Sequence, residues 1–490
     1  MPPPETPTAA LDRLFRANDH VGALRVADQM LAQSQRSFAG WLGRGCANFN
    51  LGRLADADTD LDHALKLTPS DPQAALLRGM VDQRLGRIDR AVDRLRPLAA
   101  GKTPQALEAA VALAEVFWFA HRRDELAALL TRGGAWMNDP RAALMVARVC
   151  AQTDPEAAIV QLRAIAELER NPVLRRVAGF DAVGLLDKAG RYREAFELAT
   201  QLHAATTPPF DLYGMLGEIN EQRGVLEKSA VAATRALATT ADPVTGVAMV
   251  VGLPRCGSTL LEQMLDSHSQ ISGIGEFDGV DVIAASLIST GRWPRSINLL
   301  PRATLMEMQQ SYLNGAQRLR RAGAAWSFDK TLEAWRLLPA IAAVLPGAVC
   351  FDVQRDARDM AISMFLSYFH PHSKGWTASL ASIRRVIEAE RVIVPLSLET
   401  LGIPHQSIVY EQLVADPAAH ATRCLARMEL AMEPQVVQPE RNARAVFTLS
   451  HEQVRRPINS TSIGRFRNYE WAFDQSWDAL AAMHDARRSE

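Results

Sequence analysis

The sequence predicts two architectures in series: an all-helical repeat array, then an α/β domain built on a parallel sheet of about five strands. From Leu11 to about Asp242, apolar residues recur at three- and four-residue spacing in an Ala-, Leu- and Arg-rich background with few β-branched runs, which is the helical period. Within that stretch Leu51-Gly52 returns as Leu85-Gly86, thirty-four residues on, and Gly190 and Gly224 stand the same interval apart, a length that fits one pair of helices. Beyond Pro243, short β-branched runs alternate with helical patterns, as in a doubly wound sheet. The expected boundaries are a disordered segment at 1–10, repeats over 11–242 and the α/β domain over 243–490, joined through Thr239-Thr240-Ala241-Asp242-Pro243.

In the repeats, Trp41, Gly45, Asn48, Leu51-Gly52, Ala57, Ala64-Leu65, Leu67 and Pro69 resemble the tetratricopeptide (TPR) pattern in order. The small residues fall where two helices cross closely, so Gly45 and Ala64 are expected as buried contacts. From about Ala99 to Gly179 the match degenerates although Ala112 to Ala127 and Ala142 to Leu168 stay helical, which predicts irregular repeats completing one α-helical solenoid. The resemblance implies a concave surface for an extended peptide or protein partner. Two other uses stand beside it: a scaffold that shields the second domain, or a homodimer contact. Trp118 and Trp136 are expected as core.

At 250–265 the stretch VVGLPRCGSTLLEQML joins a buried strand, Val247 to Val251, to a helix with Leu260-Leu261 and Met264-Leu265 at helical spacing. The loop between them, Gly252 to Thr259, has the glycine spacing and closing Ser/Thr of the phosphate-cradling GxxxxGK[ST] loop, but Ser258 stands where the lysine belongs. A strand that feeds such a loop into a helix aims several backbone N–H groups at one point, with the helix dipole behind them. An anion is the expected guest. Without the lysine that serves β- and γ-phosphates, and with the planar fork of Arg255 inside the loop, ATP is not the expected one.

Further strands are expected at Gln270 to Glu276, Ala325 to Phe328, Ala348 to Val353 and Ser407 to Tyr410. Ligands of such sheets sit at the carboxyl ends of the strands, and those ends hold Arg255, Glu276, Lys330 and Arg355. A formal net charge of −1 gives no bulk attraction for nucleic acid, so any anion site is local. Five scattered cysteines without CxxC spacing point to neither a disulfide framework nor zinc, and no metal is expected. The opening MPPPETPTAALDRLF lacks a signal-peptide pattern and no stretch has the length of a membrane span, so the expected location is cytoplasmic.

Three blocks, LPRCGSTLLEQML at 253–265, RDARDMAISMF at 355–365 and RRPINSTSIGRFRNYE at 455–470, resemble the sulfotransferases that use 3′-phosphoadenosine 5′-phosphosulfate (PAPS). The branch they resemble is the protein-tyrosine sulfotransferase-like one found behind TPR repeats. The resemblance implies PAPS as co-substrate and PAP as product, with Arg255, Cys256, Gly257, Ser258, Thr259 and Leu260 at the sulfonate and 5′-phosphate. It puts Arg355 and Ser363 at the 3′-phosphate, and Ser460, Ser462, Arg465 and Arg467 in a C-terminal segment over the nucleotide. The family's Arg-Lys-Gly triplet is missing from that segment, and Arg456 is a substitute candidate. Catalysis is assigned by the same resemblance to Lys330, at the leaving oxygen, to Arg255, at the sulfonate, and to Glu276 as base. His268 and Glu333 compete as base, while His370 and His372 are expected on a surface loop. Leu332 stands where small-molecule sulfotransferases place a histidine, which points away from their substrates.

Two readings from other classes remain at this point: a P-loop ATP-dependent kinase, and a non-catalytic TPR adaptor with a relic nucleotide domain. The missing loop lysine counts against the first, and the intact polar set against the second. Phe277 to Ala322 and Tyr368 to Gly402 are expected to wall the acceptor pocket, with Trp293 and Trp376 either lining it or packing.

Overall fold

Helix signals in the sequence are used as expected from their chemistry. The side chains of Thr6, Asp19, Ser37 and Asp71 each accept the backbone N–H three residues on, closing the starts of the helices Pro7–Arg16, His20–Gln33, Phe38–Asn50 and Pro72–Arg84. The computed structural model describes residues 5–227, 240–294, 297–332, 334–442, 444 and 455–489. Its first helix begins at Pro7, inside the segment expected to be disordered, because Thr6 caps it and Pro7 pre-sets its first turn.

The helices are joined by one recurring turn. Asn18, Gly52, Gly86 and His121 take left-handed φ values of 55°, 79°, 74° and 58°. The next residue's N–H then reaches back five positions, as from Arg53 to the Asn48 carbonyl at 2.8 Å and from Arg122 to the Phe117 carbonyl at 2.9 Å. The turns stand thirty-four, thirty-four and thirty-five residues apart. The helix-pair spacing therefore continues past Ala99, where the pattern match degenerates; asparagine and histidine tolerate this backbone and hide it. Gly190 makes the same turn, with φ 74°, but Gly224 lies inside the helix Leu212–Glu227, so the interval between those two is no repeat. Gly45 and Ala64 are buried; a Cβ at Gly45 would lie 2.8 Å from Leu61 Cγ.

The chain forms two compact units, one running to Ala158 and the other starting at Ile159. Phe180, Val183 and Leu186 on the helix Pro172–Lys188, Leu202 on Tyr192–Thr206 and Leu216 on Leu212–Glu227 share one apolar core with the sheet strands. Their buried faces are committed to the α/β unit.

That unit is built on a five-stranded parallel sheet of β1 (Val247–Val251), β2 (Ile271–Gly275), β3 (Trp326–Asp329), β4 (Val349–Gln354) and β5 (His405–Val409), in the order β2-β3-β1-β4-β5. β1 and β4 are buried along their whole length, which explains the unbroken apolar run of β1 and the apolar Val349 to Phe351 that opens β4. The order lines up, along one carboxyl edge, the residues that follow each strand: Glu276, Lys330, the Gly252–Gly257 loop, Arg355 and Tyr410. No helix among the described residues is long and apolar enough to cross a membrane.

Two glycines separate close packing from helix propensity. Gly45→Val, pushed against the fully buried Leu61, should destabilise by about 1–3 kcal/mol. Gly184→Ala, inside the helix Pro172–Lys188 with no heavy atom near its Cβ position, should stabilise by about 0.5–1 kcal/mol. Urea unfolding of the two variants checks both signs.

Candidate active site

Three left-handed residues shape the loop after β1. Gly252, at φ 148°, passes the Val353 carbonyl so closely that a Cβ would lie 2.7 Å from its oxygen. Gly257, at φ 113°, lies against the Tyr410 ring, where a Cβ would come within 2.4 Å. Between them Arg255 holds φ 70° without being glycine, a costly backbone for a long side chain. The helix Ser258–Asp266 starts at Gly257, which supplies no side-chain cap, and its first N–H groups turn toward the loop. Ser258 and Thr259 are buried at this start, and Leu260 packs partly buried against the core. Burial pushes the Cys256 thiol up to about 11, and its backbone N–H donates to the Leu253 carbonyl at 3.3 Å.

Arg255 Nε donates to Ser363 Oγ at 2.8 Å, across from β1 to the helix Ala357–Phe365 that follows β4. Its carbonyl accepts from Arg355 Nη1 at 3.2 Å. Arg355 lies over the Tyr410 ring at 4.7 Å, stands 3.7 Å from the Asp359 carboxylate and donates through Nη2 to the Ser462 carbonyl. Its Nε is buried with no hydrogen-bond partner among the described residues. Burial pulls the Arg255 guanidinium down to about 10, and the positive charges of Arg355 and Arg465 add to that fall. Three guanidiniums therefore lie within charge range beside an uncapped helix start, the electrostatics of an anion site.

On the other side of the loop, Lys330 Nζ contacts Glu276 Oε1 at 2.7 Å. Adjacent strand ends bring them together: Gly275 pairs with Asp329 in the sheet, and the Lys330 N–H donates to the Gly275 carbonyl at 2.9 Å. Lys330 is buried while the Glu276 side chain is 55% exposed, so the carboxylate is the solvent-facing partner. A second ammonium lies within charge range: Lys374, pulled down to about 8 by burial against the opposing charges of Asp281 and Glu276.

The remaining expected residues spread out. Arg465 donates to Asp187 Oδ2 at 2.5 Å, within charge range of Arg255. Ser462 offers its carbonyl to Arg355 and not its hydroxyl. Ser460, Arg456 and Arg467 are exposed, and the Arg467 guanidinium lies 5.6 Å from the centre of the Phe466 ring. His268 is buried with Nε2 against the Ala431 carbonyl at 2.9 Å and Nδ1 accepting the Gln270 N–H at 3.0 Å, at the far end of the helix Ser258–Asp266. Both ring nitrogens are engaged away from the loop. Glu333 lies outside the described residues. His370 and His372 are exposed, Trp376 packs in the core, and Trp293 donates to Glu218 at 2.9 Å.

Sequence reasoning missed Tyr410, Asp359, Lys374 and Asp187. Tyr410 alone carried a usable signal, since it follows a predicted strand at the same edge as the arginines. Among the described residues no three His, Cys, Asp or Glu side chains are grouped to hold a metal.

Residues 248–434 match the family model described as the sulfotransferase family. That span takes in Arg255, Glu276, Lys330, Arg355 and Ser363 but not the 455–470 segment. A protein of Aquifex aeolicus (strain VF5), described only as uncharacterized, is 25% identical over 310 residues; the match covers 60% of this chain but 40% of the length of that relative. Among solved structures, the sulfotransferase domain from the curacin biosynthetic pathway is 15% identical, covering 49% of this chain and 98% of that one with a TM-score of 0.35. The sulfotransferase domain of the Synechococcus PCC 7002 olefin synthase is 16% identical, covering 50% and 95% with a TM-score of 0.35. Sulfotransferase STF1 from Mycobacterium tuberculosis H37Rv is 12% identical, covering 66% and 97% with a TM-score of 0.27.

Beside Lys330, the fully buried Asp329 accepts from Tyr312 Oη at 2.8 Å and Thr331 N at 2.9 Å, and burial still raises its carboxyl to about 7. The folded chain thus keeps this proton between about pH 4 and 7 while the unfolded chain releases it. Stability from this group is full below about pH 4 and is lost as pH rises through about 7. Asp329→Asn should remove that loss, so urea titrations at several pH values should show wild type falling relative to the variant by about 1.4 kcal/mol per pH unit in that window.

Proposed function

We propose that this protein transfers the sulfonate of PAPS to an acceptor hydroxyl, with the tyrosine of a peptide or protein as the acceptor. The observation that carries the reading is the set of polar side chains at adjoining strand ends: Arg255 on Ser363, Arg355 beside them with a buried, unpartnered Nε, and Lys330 on Glu276 two strands away. A donor with anionic groups at both ends suits that spread of cations.

In this reading the uncapped N–H groups of Gly257 to Leu260, with Arg255, hold the sulfonate and 5′-phosphate, while Arg355 and Ser363 hold the 3′-phosphate. Arg255 leaves Ser363 to do so, freeing the serine hydroxyl. Lys330 leaves Glu276 and turns its ammonium to the bridging oxygen, where negative charge collects as the sulfur–oxygen bond breaks. Glu276, released as a carboxylate at the exposed side of the pair, takes the proton of the acceptor hydroxyl as its oxygen bonds to sulfur. The electron pair of the broken bond stays on the PAP phosphate. No metal is needed. The tyrosine assignment is supported by Glu276 standing after β2, the position of the base in the branch these motifs resemble, and by Leu332 in place of a histidine. The helical repeats supply the peptide surface in the same reading.

Incubation with PAPS and a pool of tyrosine peptides, phenols and saccharides should release PAP in step with sulfate incorporated into the peptides. Glu276→Gln should lower the rate by about 10²–10⁴-fold and Lys330→Ala by about 10²–10³-fold. PAP should raise the melting temperature and ATP with Mg²⁺ should not. Absence of PAP binding, or a shift with ATP and Mg²⁺ alone, would overturn the donor.

A further inference from the structure

The 455–470 segment is held from two sides. Toward the sheet, the Asp359 carboxylate accepts the N–H of Gly464 at 2.7 Å and of Phe466 at 2.9 Å, and Arg355 donates to the Ser462 carbonyl. On the opposite side stands Asp187, the next-to-last residue of the helix Pro172–Lys188. Its Oδ2 accepts from Arg465 Nη2 at 2.5 Å and its Oδ1 from the Tyr469 hydroxyl at 2.6 Å. The Tyr469 ring is fully buried and meets Tyr192 edge-on at 5.3 Å, while Phe196 packs on both Trp471, at 4.9 Å, and Phe365, at 4.7 Å. Phe365 lies two residues beyond Ser363. The helix Tyr192–Thr206 thus braces the C-terminal segment and the Ser363 helix together. Of the expected segment residues, Arg465 alone is placed within charge range of Arg255.

We infer that Asp187 is a positioning residue for the anion site: it fixes Arg465 and Tyr469 so that the Arg465 charge is presented toward Arg255. This deepens the PAPS reading and rests on it. Asp187 acts at a distance through Arg465 and touches no donor atom. Each of its oxygens has one donor, and one of those donors is a guanidinium, so loss of the carboxylate frees a long cationic side chain whose orientation then costs entropy on every binding event. The helix carrying it precedes the loop by about seventy residues, so a residue outside the family-matched span governs affinity inside it.

The test is PAP affinity by calorimetry in the full chain, with melting temperature measured alongside. Asp187→Asn should weaken PAP binding by about tenfold to a hundredfold and Tyr469→Phe by less, while Arg193→Ala, at a stacking contact 4.6 Å from Trp471, should leave it unchanged. In the Arg465→Gln background, Asp187→Asn should have no further effect. Asp187→Glu should recover part of the affinity. Equal affinity of Asp187→Asn and wild type, or an undiminished effect of Asp187→Asn in the Arg465→Gln background, would overturn the inference. Wild type that does not bind PAP would instead overturn the donor assignment. Should Asp187→Asn fail to fold, Tyr469→Phe and Asp187→Glu measured against Arg465→Gln give the same cycle.

Discussion

Three guanidiniums gathered at the end of a buried strand set the terms for the rest of the α/β unit. Arg255 has lost its water and is repelled by Arg355 and Arg465, and its fall to about 10 registers both effects. Such an arrangement stands only where fixed negative charge and dipoles offset it. Here they are Asp359 beside Arg355, Asp187 on Arg465, the carbonyls of Arg255 and Ser462, and the face of Tyr410. Each compensating group comes from a different element: the helix after β4, a helix far upstream, the loop, the C-terminal segment and the end of β5. The site therefore exists only when the whole unit has folded. An anion entering it removes repulsion that the free chain carries, which is how a preorganised site gains affinity without moving its backbone.

β1 was legible in the sequence because a parallel strand buried on both faces leaves an apolar, β-branched run, and all five expected strands fall within a residue or two of those observed. The loop was legible for the same local reason: its glycines answer to backbone conformations that no other residue adopts cheaply, and Gly252 and Gly257 show them. What could not be read was whatever depended on distance in the chain. Asp187 and Tyr469 are joined across 282 positions, and nothing near either residue marks the contact. Lys374 and Asp359 look like solvated charges until the fold buries them. His268 failed the other way: a histidine beside the loop helix looks available, and only tertiary packing shows both nitrogens in use.

The repeat register shows how a pattern can outlast its residues. A left-handed turn needs a backbone shape, not glycine itself, so Asn18 and His121 continue it where a search for Leu-Gly loses it. Gly224 does the reverse, keeping the residue and the interval inside an uninterrupted helix. The same difference between residue and role moves the unit boundary. Arg176 and His203 lie on helices with a repeat-like turn, but both are buried against the α/β unit: Arg176 donates to the Phe369 carbonyl at 3.3 Å, and His203 Nε2 meets the Phe365 carbonyl at 2.9 Å. These helices wall the site and are not a detachable spacer before it.

Self-pairing is the other consequence of assembling opposite charges at one sheet edge. Arg255 bonds Ser363 and Lys330 bonds Glu276, so groups assigned to different parts of the proposed reaction satisfy one another. Neither pair is wasted. The 2.7 Å contact with Glu276 holds the buried Lys330 at the strand end until a more negative oxygen is offered. Because Glu276 is the exposed partner, it can be parted from Lys330 without burying an unpaired carboxylate. The exchange is favourable only if the incoming group carries more negative charge than a carboxylate shares, which a phosphosulfate does and a neutral acceptor does not. In the proposed reaction, donor binding therefore comes before the base is freed, and the acceptor proton has nowhere to go until the donor is in place.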